Sequence, residues 1–314
     1  MKAIAPLTEE RFFTAFLDAV DGTVCVPADT TGAALQAQVA PHGLRFPLLL
    51  DPATSLSVHV AATTHASASC RFGQYCDNIL GMNWRLPGGR VARIGERVAK
   101  TTTGYDWLRF LLHAGGRLGE PVDYVLRLRP ACGFSLLAWF EGDAAALRGC
   151  VSRLLHGGWM HWWDAVDLVA EGDRRRVRVA LDCPPEEAPL FTEELQRVAA
   201  AAGARLTLQP ATGGPLDGIP DLVLKTTPDR VIALAEALAQ PAARCVGLGY
   251  SGVVHVYLRE GGDSPDRIRA MVESHEEALY ALGGDWHSRW LPAPAPASAE
   301  AAWLVTLEQA LRTP

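Results

Sequence analysis

A chain of 314 residues, 49% hydrophobic and 20% charged, carries enough apolar side chains to bury the cores of one or two globular domains. A formal net charge of −6, a pI near 5.9 and the lack of any basic block exclude a protein built to grip nucleic-acid phosphates. No apolar run approaches the ~20 residues of a membrane span, and seven scattered cysteines with no C-x-x-C pair argue against an iron–sulfur cluster held by this chain alone.

The odd cysteine count and the lack of a signal peptide point to a reducing cytoplasm. Residues 1–23 read as an N-terminal helical segment, with Phe12, Phe13, Phe16 and Leu17 on one face of a helix that runs to Ala19. Gly22 to Pro27 reads as a short strand. Thr30 to Ala40 reads as a helix, with Thr30 or Thr31 as N-cap. His42 falls at the end of that helix, where a cation suits the helix dipole better than it suits catalysis.

The stretch from Ser55 to Pro130 is different, because its residues look chosen for more than packing. The run SCRFGQYCDNILG from Ser69 to Gly81 has a small-residue turn and leads into a strand from Ile79 to Leu86. Pro87, Gly88 and Gly89 make a hairpin turn, and Arg90 to Ile94 forms the return strand. Lys100 opens a threonine-rich loop ending in Gly104, Tyr105 and Asp106 before a helix from Trp107 to His113. The loop from Ala114 to Gly119 precedes a strand from Asp123 to Leu128. Glycines and small hydroxyl residues at such bends let a backbone approach a ligand with its N–H groups free; as turn residues between strands they need no ligand.

Beyond Pro130 the pattern becomes an alternation of strands and helices. Strands are expected at Phe134 to Phe140, Trp163 to Val169, Arg176 to Cys183 and Arg205 to Gln209, with helices at Asp143 to Leu155 and Pro185 to Ala202. A second round runs through a strand at Asp221 to Thr226, a helix at Pro228 to Ala239, a hairpin of Arg244 to Gly249 with Val253 to Arg259, and a helix at Pro265 to Leu282. This order suggests a ferredoxin-like sheet covered by helices on one face. Arg174 to Arg176 reads as a solvated hairpin tip. Trp159 to Trp163 reads as core or as a contact for another subunit rather than as a ligand platform. Leu291 to Ser298 is a stiff Pro/Ala linker before a final helix at Glu300 to Arg312.

The order of these residues resembles the FAD-binding domain of the FAD-linked oxidases, the vanillyl-alcohol-oxidase or PCMH-type fold. The resemblance rests on Arg71-Phe72-Gly73, Asp77-Asn78-Ile79-Leu80-Gly81, Gly88-Gly89-Arg90-Val91, Lys100, Gly104-Tyr105-Asp106 and Leu118-Gly119. Within the family, the chain looks most similar to the E-type FAD subunit of glycolate oxidase. The resemblance implies an α+β chain with four parts. These are the N-terminal helix at 1–23, a shortened PCMH-type FAD-binding domain at 24–130, an α+β cap over the substrate at 131–290, and the linker and helix at 291–314.

The resemblance further implies FAD as cofactor, with Ser69, Gly73, Asp77, Asn78, Lys100, Gly104, Tyr105, Asp106 and Gly119 as its contacts. Tyr105 and His255 become the catalytic candidates. His255 lies in GLGYSGVVH, similar to the family's Gly-Asp-Gly-Asn-x-His signature with Tyr250 and Val253 in place of polar members. A lone strand histidine is also an ordinary packed or surface residue, and no second ligand at a useful spacing supports a metal. In the family, a flavin takes a hydride from the α-carbon of a 2-hydroxyacid such as glycolate or D-lactate, and electrons pass to a partner. The implied partner is an iron–sulfur subunit or a second FAD-type oxidase subunit. The implied setting is the cytoplasm, peripheral to the inner membrane at most through that partner. Ser-His-Asp, P-loop and H-E-x-x-H patterns are absent.

Four departures favour a second reading. Only 23 residues precede Val24, where the family has a pyrophosphate-binding loop. Val58-His59-Val60-Ala61 replaces a double-glycine turn. The loop at 113–119 lacks the family's serine, with Arg117 as an exposed loop residue. The chain also stops at Pro314, short of the family's C-terminal tail. On that reading the chain is a relative that binds no flavin and serves as a structural or regulatory partner subunit. A third arrangement has a second polypeptide supplying the missing subdomain.

Overall fold

The computed structural model describes residues 14–48, 50–62, 69–97, 107–113, 116–210, 222–225, 231–232, 235, 243–249, 251–258 and 285–288. The fold is α+β. The described residues divide into two compact units: residues 14–62 and Tyr75–Pro130 form the first, while Ser69–Gln74 and the residues from Ala131 onward form the second.

The first unit is built on an antiparallel sheet. Its chain begins with β1 (Phe16–Asp18) and β2 (Thr23–Pro27), paired as a hairpin. Phe16 and Leu17 are therefore strand residues, which corrects the expected N-terminal helix over this part of residues 1–23. The cause is local turn chemistry. The Asp18 carboxylate accepts the backbone N–H groups of Val20 and Asp21, both at 3.0 Å, and Gly22 supplies φ +60°. An Asx-type turn at the only acidic residue of the periodic run competes with the helix and lets β1 pair with β2.

α1 (Gly32–Val39) is capped by Thr31, whose Oγ1 accepts the Ala34 N–H at 3.2 Å. It buries Leu35 and Val39 and ends in a 3-10 turn at Ala40–His42, closed by Gly43 at φ +66°. β3 (Leu44–Arg45) follows, then α2 (Leu56–Ala62). α3 (Ser69–Phe72) packs with the second unit. A 3-10 turn at Tyr75–Asn78 feeds β4 (Ile79–Arg85), which turns back as β5 (Val91–Gly95). α4 (Trp107–His113), β6 (Glu120–Arg127) and β7 (Arg129–Pro130) complete the unit. The sheet order is β1-β2-β6-β4-β5, and β3 and β7 make a separate two-stranded ladder. Val24, Met82, Trp84, Tyr124 and Val125 are all buried. Asn83 and Asp123 lie opposite each other in the same sheet and bond at 2.9 Å, which satisfies a polar pair wholly out of water.

The second unit runs β8 (Phe134–Glu141), α5 (Ala144–His156), β9 (Ala165–Glu171), β10 (Arg174–Cys183), α6 (Ala188–Ala202) and β11 (Arg205–Pro210). It then continues through β12 (Leu222–Lys225), β13 (Ala243–Leu248), β14 (Val253–Leu258) and β15 (Asp285–Ser288). All eight strands make one antiparallel sheet, ordered β11-β8-β10-β9-β13-β14-β12-β15. The first four strands have the ferredoxin-like order, and the last four repeat the same permutation, joined through the β9–β13 pair.

Period-two alternation gives this sheet two distinct faces. Leu136, Ala138, Phe140, Val166, Leu168, Ala170, Val177, Val179, Leu181 and Val254 pack with Leu147, Cys150, Val151, Leu154, Phe191, Leu195 and Val198 of α5 and α6. Residues on the other face of the same strands include Trp139, Glu141, Asp167, Arg176, Arg178, Arg244, His255 and Tyr257. Trp163 is fully buried beside Phe191, and Trp159 packs edge-on to the same ring at 5.4 Å, so these two residues of the tryptophan run belong to the core. The tip of the β9–β10 hairpin is Gly172–Asp173, and Arg174 to Arg176 are strand residues paired with β9 rather than the tip itself. The expected helix at 265–282 and the linker and helix at 291–314 lie outside the described residues.

Candidate functional site

The motif that carries the family resemblance is divided between the two units. Ser69 opens α3 and Gly73 follows it at φ +74°. Between them, Arg71 donates from Nη1 to Asp164 Oδ1 at 3.0 Å and to the Asp182 carbonyl at 3.2 Å. Asp182 is fixed in turn by the Ser135 hydroxyl at 3.0 Å. This buried polar knot ties α3 to the start of β8, the entry to β9 and the end of β10.

Asp77 and Asn78 share the turn before β4 in the first unit. Asn78 is buried, and Asp77 makes an ion pair with Arg109 of α4. Gly119 sits before β6 at φ +120°, away from that turn along the sheet. Lys100, Gly104, Tyr105 and Asp106 lie outside the described residues.

At Gly81, Gly95 and Gly119 of the first unit, the space a Cβ would take is filled by the chain's own backbone. A Cβ on Gly119 would lie 2.0 Å from the Arg85 carbonyl oxygen and 2.7 Å from Trp84 Nε1. Gly81 and Gly95 face each other across β4 and β5, and a Cβ on either would meet the other strand at 2.8 Å or less. These positions need glycine for strand contact, whether or not a ligand is near. His59 and Val60, which stand where the resemblance expects a double-glycine turn, are buried residues of α2. His59 Nε2 accepts the Asp51 N–H at 3.0 Å, and burial lowers its pKa below the usual 6.5. Among the described residues, Gly81, Gly95, Gly119, His59 and Val60 thus leave no backbone space for a flavin dinucleotide at their own positions.

The richer constellation lies on the outer face of the second unit's sheet. Arg178 and Asp167 are directly opposite across β10 and β9. Arg178 donates from both Nε and Nη2 to Asp167 Oδ2, at 3.1 and 2.8 Å, with both side chains almost entirely buried. His255 is 5% exposed on β14, and its Nδ1 lies 3.4 Å from the Tyr257 hydroxyl. The Arg244 guanidinium lies 4.9 Å from the Tyr257 ring centroid, a cation–π contact. Burial, the largest influence, lowers the Arg244 pKa. Trp139 carries Arg176 over its ring at 4.3 Å, with Arg178 at 6.0 Å.

Of these, sequence reading found only His255. Asp167, Arg178, Arg244 and Tyr257 were missed, although charged residues alternating with valines inside a strand are the signal of a polar inner face. Among the described residues no cluster of three or more His, Cys, Asp or Glu is placed to hold a metal ion. No described helix is long and apolar enough to cross a membrane.

No protein-family model matches the sequence. An FAD-linked oxidoreductase of Mycobacterium tuberculosis is 28% identical over 263 residues, covering 80% of this chain and 49% of that protein. The mitochondrial cytochrome-type D-lactate dehydrogenase of Arabidopsis thaliana is 32% identical over 97 residues, 31% of this chain and 17% of the dehydrogenase. Glycolate oxidase subunit GlcD of Bacillus subtilis is 33% identical over 79 residues, 24% of this chain and 17% of that subunit. A solved structure of alkyldihydroxyacetonephosphate synthase superposes with a TM-score of 0.65 at 8% identity, covering 96% of this chain and 64% of the synthase.

The chain is similar in sequence to FAD-linked oxidases. The superposition with the synthase establishes the shared α+β fold, and at 8% identity it establishes the fold alone. The chain spans about half the length of the mycobacterial protein, 49%, and less of the dehydrogenase and glycolate oxidase subunit.

Proposed function

We propose that the chain is a subunit of an FAD-linked oxidoreductase acting on a small 2-hydroxyacid of the D-lactate or glycolate kind. The observation that carries this reading is the polar group on the outer face of the second unit's sheet, where buried His255 and the buried Arg178–Asp167 pair stand with half-buried Tyr257 and Arg244 among Val169, Val246, Leu248 and Val253. The names of the D-lactate dehydrogenase and GlcD relatives support the substrate class. A 2-hydroxyacid presents a carboxylate and a hydroxyl. Arg244, whose positive charge is disfavoured by burial, gains most from a carboxylate. His255, within reach of the Tyr257 hydroxyl, is the residue to take the substrate hydroxyl proton. Tyr105 retains the role the family resemblance gives it. The partner is an iron–sulfur subunit or a second FAD-type subunit.

The test is dye-linked oxidation of D-lactate and glycolate by the complex isolated from its own cells. His255→Gln lowers kcat by about 100-fold at little cost in KM, the size of a lost general base. Arg244→Gln raises KM with kcat nearly kept. Wild-type kinetics in both variants overturn the assignment.

A second reading, a partner subunit that binds no flavin itself, is favoured by the backbone-filled glycines and by the buried His59 and Val60. Separately produced chain, mixed with excess FAD and desalted, separates the two. Flavin bands near ~370 and ~450 nm that persist at about one equivalent show that this chain holds the cofactor, while their loss assigns that task to the partner.

A further inference from the structure

The outer face of β8, β10 and β11 holds a cavity of about 350 Å³, a size that suits a small molecule. Arg174, Arg176 and Arg205 surround Glu141 in it. Register creates the cluster: Glu141 on β8 lies opposite Arg176 on one neighbouring strand and Arg205 on the other. Arg174 donates from Nη2 to Glu141 Oε1 at 2.8 Å, and Arg205 engages Oε2.

Both carboxylate oxygens are therefore taken. Arg176 forms no ion pair or hydrogen bond among the described residues and lies over the Trp139 ring at 4.3 Å. Its pKa is lowered, first by burial and then by the Arg174 charge. Arg174 and Arg205 thus share the one carboxylate that lines the cavity, and with Glu171 of β9 opposite Arg174 the three guanidinium groups still leave an excess of positive charge. Thr207 and Gln209 add hydrogen-bonding groups to its wall.

We propose that this cavity is a binding site for a small dianion, a phosphate monoester or a dicarboxylate. Arg176 contributes the unpaired cation, and Glu141 acts as an internal anion that keeps Arg174 and Arg205 in place and is partly relieved of them by the ligand. The site is distinct from the His255 end of the same face. Arg176, Val169, Val246 and His255 follow one another across β10, β9, β13 and β14, three strand spacings or ~14 Å. A 2-hydroxyacid at His255 does not reach it. The inference stands without the redox reading, because it requires no flavin.

The experiment is isothermal titration of the full chain with inorganic phosphate and, separately, with malonate, in a buffer low in chloride. One saturable equivalent is expected from at least one of the two. Preference for phosphate identifies the phosphate-ester class, and preference for malonate the dicarboxylate class. Arg176→Gln weakens that binding by about tenfold or more. Glu141→Gln tightens it by about threefold, since it removes the competing anion, and a misfolded variant does not bind more tightly. No saturable binding of either ion, equal binding by wild type and Arg176→Gln, or weaker binding by Glu141→Gln overturns the proposal.

Discussion

Arg178 donates two hydrogen bonds to Asp167 Oδ2 at the middle of a sheet while almost all of both side chains is out of water. Taking two charges out of water costs several kcal/mol per ion, and only the close, two-point contact offsets it. Arg178→Met alone leaves Asp167 as an uncompensated buried charge, and chemical denaturation is expected to show a loss of about 3–5 kcal/mol. Arg178→Met combined with Asp167→Leu recovers most of that loss. Equal destabilisation by the single and double variants contradicts a coupled pair. His59 gives a second signature at this scale. Its folded pKa lies below the unfolded 6.5, so folding is favoured fully above about pH 6.5 and weakens as pH falls from there toward the folded value. The melting temperature of wild type is expected to drop more steeply between pH 7.5 and 5.5 than that of His59→Gln, whose side-chain oxygen still accepts the Asp51 N–H. Parallel curves remove His59 as the cause.

At the scale of elements, the sequence was legible wherever one period ran without competition. α4 spans the expected residues, and α5 starts one residue after its N-cap, Asp143, whose carboxylate accepts the Ala146 N–H at 2.8 Å. Asp143→Ala is expected to cost about 1 kcal/mol and to lower the melting temperature by a few degrees. An unchanged melting temperature means the bond contributes nothing in solution. Reading failed at β1, because helical periodicity through Phe16 and Leu17 cannot reveal that Asp18 will close a turn onto them. It failed again at β15, whose Asp-Trp-His-Ser sequence lacks the period-two alternation that marks a strand, yet which pairs antiparallel with β12. The site was legible only in part for a related reason. Of the residues on the polar face, only His255 stood out by residue type and order. Arg178, Asp167, Arg244 and Tyr257 gain their meaning only when four strands lie side by side in register.

For the whole molecule, two ferredoxin-like strand sets continue into one eight-stranded sheet, and one face of that sheet is given over to α5 and α6. The other face is where charged and aromatic side chains collect, with the histidine end and the arginine cavity some strands apart. The fold is shared with a larger synthase, and the sequence is similar to parts of FAD-linked, D-lactate and glycolate enzymes; the proposal that this face acts on a 2-hydroxyacid builds on that similarity. The measurement that tests this most directly is the visible spectrum of the complex purified through this chain from its own cells, recorded without oxygen before and after D-lactate or glycolate is added. The account predicts a flavin band near ~450 nm that bleaches with one of the two acids and bleaches about 100-fold more slowly in the His255→Gln complex. A colourless complex, or a flavin that neither acid reduces, contradicts it.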